Sequence, residues 1–197
     1  VYDPEPLRVL LIGGRSFAAA VRDLLVQRAG VAVVGVAAPA GDPIATMTAD
    51  LGPALVPAGT DLIVAAQNHR FIPPAMLAAT RLGGLSYHPS LLPLHRGRDA
   101  VYWTIRDRDR VTGGTVYWLN DVVDGGPIAA QEWCFVRPDD TPSTLWRREL
   151  FPLGLRLIDR VVGDLVAGRA QRHPQDESLA TWEPCITRPM LAAGGSP

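Results

Sequence analysis

Short apolar runs alternating with helix-length stretches fill the first half of the chain, and no other feature restricts the fold as much. Val9–Ile12 ends in Gly13-Gly14 and leads into a helical pattern over Phe17–Ala29; Val31–Ala37 is a second run, rich in Val. A helix-length stretch at Pro43–Leu51 precedes the third run, Asp61–Ala66, and Pro73–Leu82 reads as a further helix with both prolines in its first turn. The fourth run, Gly84–His88, is closed by Pro89. Strands separated by helices make parallel βαβ units, so the expectation is an α/β fold with a mainly parallel sheet flanked by helices. Ligands of such sheets bind beyond the carboxyl ends of the strands, which places chemistry at Gln67–Phe71 and Ser86–Pro93.

Past Asp99 the texture changes. Ala100–Ile105 reads as a helix, and Gly114–Leu119 and Ile128–Val136 as two strands joined by the turn Asn120–Pro127. Thr141–Gly168 reads as one long helix, with Thr141 as N-cap and Pro142 in the first position. Residues 1–168 are assigned to one catalytic domain and residues 169–197 to a C-terminal tail, whose Pro, Gly and polar content suits a surface path or partial disorder. Gly13-Gly14-Arg15-Ser16 lacks the third glycine of a dinucleotide fingerprint and reads as a tight turn into a helix.

Composition narrows the chemistry. With 197 residues, 47% of them hydrophobic, the chain can bury one sizeable core. A formal net charge of −1 supplies no field for nucleic acid or an anionic membrane, so neither is an expected partner. Every basic residue is Arg, which excludes a Schiff-base lysine and a P-loop lysine. Cys134 and Cys185 stand far apart and suggest neither a disulfide framework nor a zinc site. No apolar run reaches the ~18 residues of a membrane span and no basic segment precedes an apolar leader, so a cytoplasmic protein is expected. Arg106-Asp107-Arg108-Asp109-Arg110 alternates in sign and reads as a solvated loop, and no metal is expected. The five tryptophans are scattered, as in a core or an interface rather than a base-stacking platform.

The densest unusual stretch is Ser86-Tyr87-His88-Pro89-Ser90-Leu91-Leu92-Pro93-Leu94-His95-Arg96-Gly97. Residues two apart on a strand share a face, so Ser86 and His88 point the same way, and Pro89 ends the strand with the imidazole at its rim. Further on, Asn120-Asp121-Val122-Val123-Asp124-Gly125-Gly126-Pro127 puts a carboxylate on a glycine-rich turn. A His at a strand end and an Asp on a tight loop are the parts of an acid–base pair, although the spacing alone favours a satisfied His and a capped turn. His69 and His95 read as surface or hydrogen-bonding residues, and His95-Arg96 as a solvated loop or a site for an anionic group.

Tyr-His-Pro-Ser-Leu-Leu-Pro-x-His-Arg-Gly, followed by Trp103-Thr104, resembles the formyltransferase family, whose donor is 10-formyltetrahydrofolate. The likeness is strongest to the branch formed by the N-terminal hydrolase domain of 10-formyltetrahydrofolate dehydrogenases. It continues through Val123-Asp124-Gly125-Gly126-Pro127-Ile128 and Leu150-Phe151-Pro152-Leu153-Gly154, and spans Asp61 to Trp182. The resemblance implies a Rossmann-like formyltransferase fold, with His88 and Asp124 as the catalytic pair and Ser86 beside them. It implies that the folate lies against Asn68, His69, Arg70, Phe71 and Ile72 on one side and Leu119, Asn120, Asp121 and Val123 on the other. Formyl transfer passes through a tetrahedral oxyanion, which an imidazolium at His88 would stabilise and which Asp124 would help to form by favouring that cation.

The pattern departs from the family in three ways. Formyltransferases usually carry Asn where this chain has Ser86, and the hydrolase branch also lacks that Asn. Ala38–Thr60 is shorter than the family's pattern, which would open one wall of the site. The aldehyde-dehydrogenase and tRNA-binding domains of larger relatives are not in this sequence, so a full dehydrogenase reaction and a Met-tRNA acceptor are not expected. What remains is transfer of the formyl group to a small-molecule amine, hydrolysis to tetrahydrofolate and formate, or a folate-binding protein with weakened catalysis, with a homodimer an open arrangement for each.

Overall fold

The computed structural model describes residues 5–48 and 51–186. A seven-stranded sheet organises them, in the order β3-β2-β1-β4-β5-β6-β7. Its strands are β1 (Leu7–Gly13), β2 (Val31–Ala38), β3 (Met47–Thr48), β4 (Leu62–Ala66), β5 (Gly84–His88), β6 (Val111–Trp118) and β7 (Ile128–Phe135). Strands β3 through β5 in that order are parallel, and β6 and β7 add antiparallel pairs at one end. This is the mainly parallel, Rossmann-like α/β architecture that the alternating apolar runs require.

The parallel strands read as nearly continuous apolar sequence because helices cover both faces. Leu7, Val9 and Leu11 pack on one side with Phe17, Val21 and Leu25 of α1 (Arg15–Gln27) and with Leu153, Leu157 and Val161 of α5 (Phe151–Val166). Leu10, Ile12, Ile63 and Ala65 face the other side, against Ile72 and Met76 of the segment around α2 (Pro74–Ala78). The order of strands reverses between β1 and β4, which opens a crevice at their carboxyl ends. Gly13 lies at that point, and a Cβ there would fall 1.7 Å from the Ala66 carbonyl, so only glycine fits.

Several boundaries differ from the sequence reading. Pro43–Leu51 does not form a helix: residues 43–46 turn, Met47–Thr48 add an edge strand, and residues 49–50 lie outside the described residues. Proline and glycine at 41–43 and Asp42, which accepts from the Ile44 N–H, favour the turn over helix nucleation. The helix expected at Pro73–Leu82 is only the short α2, and β6 begins at Val111, three residues earlier than expected. The stretch Thr141–Gly168 begins as expected, with a capping box between Thr141 and Thr144 and Pro142 in the first turn of α4 (Pro142–Leu145). It then widens to a π-helical turn at Trp146–Leu150 before α5, where Pro152 lacks the N–H an unbroken α-helix would use. No helix among the described residues is long and apolar enough to cross a membrane.

The segment from Arg169 to Ile186 is laid across the front of the sheet by specific bonds. Thr181 and Glu183 pair with Pro93 and Arg96 backbone groups, His173 bridges to Ile128, and the Ile186 N–H donates to Asp99. Composition registers the polarity of this segment but not its partners, which lie far away in sequence.

Helix α5 meets the sheet through Gly154, where a Cβ would lie 2.7 Å from the Tyr87 ring and 2.8 Å from that of Phe17. Both rings belong to a four-member cluster with Trp146 and Phe151, so neither can withdraw cheaply. Alanine is the better helix former by about 1 kcal/mol, yet overpacking costs about 1–3 kcal/mol. Gly154→Ala should therefore lower stability, read as an earlier denaturant midpoint with an unchanged slope; a stabilised variant would show that the cluster yields.

Candidate active site

Ser86 and His88 lie on one face of β5, opposite Tyr117 and Thr115 of β6 in the antiparallel register. His88 is buried, and its Nε2 lies 2.7 Å from the backbone carbonyl of His95. A carbonyl only accepts, so Nε2 carries the hydrogen and the neutral ring presents its lone pair at Nδ1. That nitrogen stands 3.6 Å from Oδ2 of Asp124. A proton taken up at Nδ1 thus produces a cation facing a carboxylate, while the ring is held from behind.

Asp124 is fixed with equal care. The Tyr117 hydroxyl donates to Oδ1 at 2.6 Å, and the Gly97 N–H donates to Oδ2 at 2.8 Å. Its backbone is left-handed, at φ +52°, a conformation that Asp tolerates better than most residues. Gly126 must be glycine, because a Cβ would lie 1.6 Å from the Trp118 carbonyl. The Gln175 amide closes the turn from outside, donating to the carbonyls of Asp124 at 2.8 Å and Gly126 at 2.7 Å.

A cavity of about 730 Å³ opens in front of this pair. Asn68, His69, Arg70, Phe71 and Ile72 form one wall, and Leu119, Asn120 and Val123 another, with Ser86, His88 and Asp124 at the floor. Asn68 binds the Arg70 backbone through both ends of its amide, which shapes the loop. Phe71 and Val123 expose about half their surface at the mouth, apolar faces suited to a flat ring system. Burial, and then the charges of Arg98 and Arg15, push the His69 imidazole below its ordinary value, so it is neutral at pH 7. Asp121 is exposed and outside the lining, unlike its neighbours.

Several lining residues carry no signal in the sequence. Tyr117 is the most consequential: its phenol donates to Asp124, and it stands opposite Ser86 in the register of β5 on β6. Only the register of β5 on β6 brings these side chains together, and register is not written in either strand alone. Arg98 follows directly on the Ser86–Gly97 stretch, whereas Trp146, Glu183 and Cys185 reach the cavity from segments remote in sequence.

Residues 11–158 match the family model described as formyl transferase. The chain belongs to the formyl transferase family. A cytosolic 10-formyltetrahydrofolate dehydrogenase from Mus musculus is 43% identical over 125 residues, which cover 64% of this chain and 14% of that protein. The chain thus matches only a small part of that relative's length. Among solved structures, HypX from Aquifex aeolicus in complex with tetrahydrofolic acid shares the fold, with a TM-score of 0.75, 23% identity and coverage of 93% of this chain and 30% of that one. Glycinamide ribonucleotide transformylase 1 from Symbiobacterium toebii is similar at a TM-score of 0.74 and 23% identity, covering 88% of this chain and 95% of that one.

Burial, reinforced by the negative charge of Asp124, pushes the Tyr117 phenol well above the ordinary value, and burial does the same for Tyr87. The sign follows: a phenol raised in the folded state stabilises the fold below about pH 10 and ceases to do so as the pH climbs further. Tyrosinate absorbance of the folded protein should be the same in wild type and Tyr117→Phe until unfolding sets in above about pH 10. A folded-state phenolate that disappears with Tyr117 would contradict the assignment.

Proposed function

We propose that the chain takes the formyl group from N10 of 10-formyltetrahydrofolate and passes it to a small-molecule amine. The observation that carries this reading is the held pair: an imidazole with one nitrogen tied to a carbonyl and the other facing an oriented carboxylate, at the floor of a cavity of ligand size. Membership of the formyl transferase family supplies the reaction class. The donor is supported by a relative named for 10-formyltetrahydrofolate and by a structural neighbour solved with tetrahydrofolic acid.

The reaction then runs through these groups. The amine attacks the formyl carbon, the C–O double bond opens to an oxyanion, and the His88 imidazolium, its proton on Nδ1, stabilises that charge. Asp124 receives the proton that the attacking nitrogen loses, directly or through one water. As the oxyanion collapses, the C–N10 bond breaks and N10 leaves with a proton returned from the same carboxylate, giving tetrahydrofolate. The pteridine lies between the walls built by residues 68–72 and by Leu119, Asn120 and Val123.

Hydrolysis to tetrahydrofolate and formate is a second reading, favoured by one observation. Ser86 stands where formyltransferases carry an amide, and it lines the cavity beside His88 with a single hydroxyl hydrogen to give. An oxyanion here lacks that amide, and loss of one such donor costs about 100- to 1000-fold in rate. Water, unlike an amine, needs no binding pocket of its own.

Three measurements test the reading. Titration with 5-formyltetrahydrofolate, a stable analogue, should give saturable heat with a micromolar or tighter Kd, about −8 kcal/mol; none at millimolar ligand would end the folate assignment. His88→Ala and Asp124→Ala should each lower turnover of 10-formyltetrahydrofolate at least ~100-fold, with the double variant scarcely worse, because the two act as a unit. Ser86→Asn should raise transfer to the amine if transfer is the reaction. Should hydrolysis be the reaction, the variant will leave it unchanged or slower.

A further inference from the structure

His95 has no role in that chemistry beyond its carbonyl, yet its ring is buried between two carboxylates. Nε2 lies 2.7 Å from Oδ2 of Asp109. An ionised carboxylate only accepts, so Nε2 carries the hydrogen and, in the neutral ring, Nδ1 presents its lone pair. Nδ1 is shielded from solvent and makes no hydrogen bond. What it faces is another carboxylate oxygen, Oε1 of Glu183, at 3.3 Å. Two electron-rich atoms so placed repel unless a positive charge lies between them.

The third component comes from α3 (Ala100–Arg106): a nitrogen of His95 and one carboxylate oxygen each of Asp107 and Glu183 lie within 4.8 Å of one another. Asp107 is the C-cap of that helix, where the carbonyl ends disfavour a negative charge. Two ligands at about 2.0–2.1 Å from a tetrahedral ion are about 3.3–3.4 Å apart, which is the Nδ1 to Oε1 separation observed here. A histidine that ligates through one nitrogen and gives its other N–H to a carboxylate is the usual support of such an ion, and Asp109 supplies that carboxylate.

We propose that His95, Asp107 and Glu183 form a site for a divalent transition-metal ion, zinc by preference, with Asp109 orienting the imidazole. One imidazole and two carboxylates suit zinc, or cobalt in its place; magnesium favours oxygen ligands only and keeps its waters. Such an ion joins the loop after β5, the end of α3 and the C-terminal segment. The same His95 holds His88 through its carbonyl, so the ion fixes the backbone against which that imidazole is set. Asp107 and Asp109, which read as a solvated loop in the sequence, acquire a purpose in this arrangement.

The test uses the whole chain after removal of bound metal with a chelator. Titration calorimetry and native mass spectrometry with zinc chloride should show one ion per chain at micromolar or tighter Kd, with a raised melting temperature and no comparable effect of magnesium chloride. Asp107→Asn, an exposed substitution that leaves the core intact, and Glu183→Gln should each weaken binding at least ~10-fold. Cobalt in the wild-type site should give the visible absorption of a four-coordinate ion, a readout that needs no variant. Absence of stoichiometric binding would overturn the proposal and leave His95 only as a partner of the two carboxylates, Asp109 and Glu183. Binding of equal strength in both variants would overturn it too, by placing the ion elsewhere. Neither outcome bears on folate binding, which is measured separately.

Discussion

The carboxylate of Asp124 is the point on which the site depends. It gathers a hydroxyl from β6, an N–H from the loop after β5 and the imidazole at the end of β5 itself. Hydrogen bonds to a charged acceptor contribute about 1.5–3 kcal/mol each, more than neutral ones, so the turn that carries Asp124 cannot drift without losing them. The turn in turn demands a left-handed Asp and a glycine pressed onto the Trp118 carbonyl. Two constraints on the backbone are thus spent on holding one side chain. The result is a preset pair: His88 and Asp124 face each other at 3.6 Å, and the proposed reaction would need little reorganisation of them.

That arrangement leans on the C-terminal segment. Arg96 is almost wholly buried, and a buried guanidinium is tolerable only when its five N–H groups are met. Glu177 takes two of them in a bidentate pair, Gln175 takes two more, and the Trp182 ring lies 5.3 Å from the charge. Gln175 also holds the Asp124 turn. One short stretch therefore fixes both the loop that contacts His88 and the turn that faces it. Cutting the chain at the end of α5 would remove these supports while leaving the sheet and its two apolar layers in place.

How much of this was legible follows from where the information lies. The parallel sheet could be read because each buried strand announces itself locally, as a short Val/Ile/Leu run between helical stretches. His88 and Asp124 could be singled out because proline and paired glycines mark the backbone around them, and the resemblance then named their roles. Tyr117 could not, since it looks like any strand aromatic until the register of β5 on β6 sets it beside Ser86 and Asp124. The Pro43–Leu51 helix failed because residues with helix-compatible composition were outvoted by a side-chain-capped turn. The partners of the segment beyond Arg169 were illegible for another reason: they are Arg96, Pro93 and Ile128, which no window of local sequence around it contains.

Ser86 bears on the donors available to the proposed chemistry. A hydroxyl has one hydrogen to give, and the Tyr117 hydroxyl opposite it in the register gives its own hydrogen to Asp124. On the proposed reading, a ligand oxygen between Ser86 and His88 can take that single hydrogen from Ser86, and His88 can offer Nδ1–H to it once protonated. An amide in place of the hydroxyl would have two hydrogens and a longer reach. In the proposed reaction, a hydroxyl at this place shifts the stabilisation of a developing negative charge from a neutral dipole toward the His88 ring. A site built that way depends more on one ring, and so on the carboxylate that faces it at 3.6 Å, than a site with an amide on the same strand.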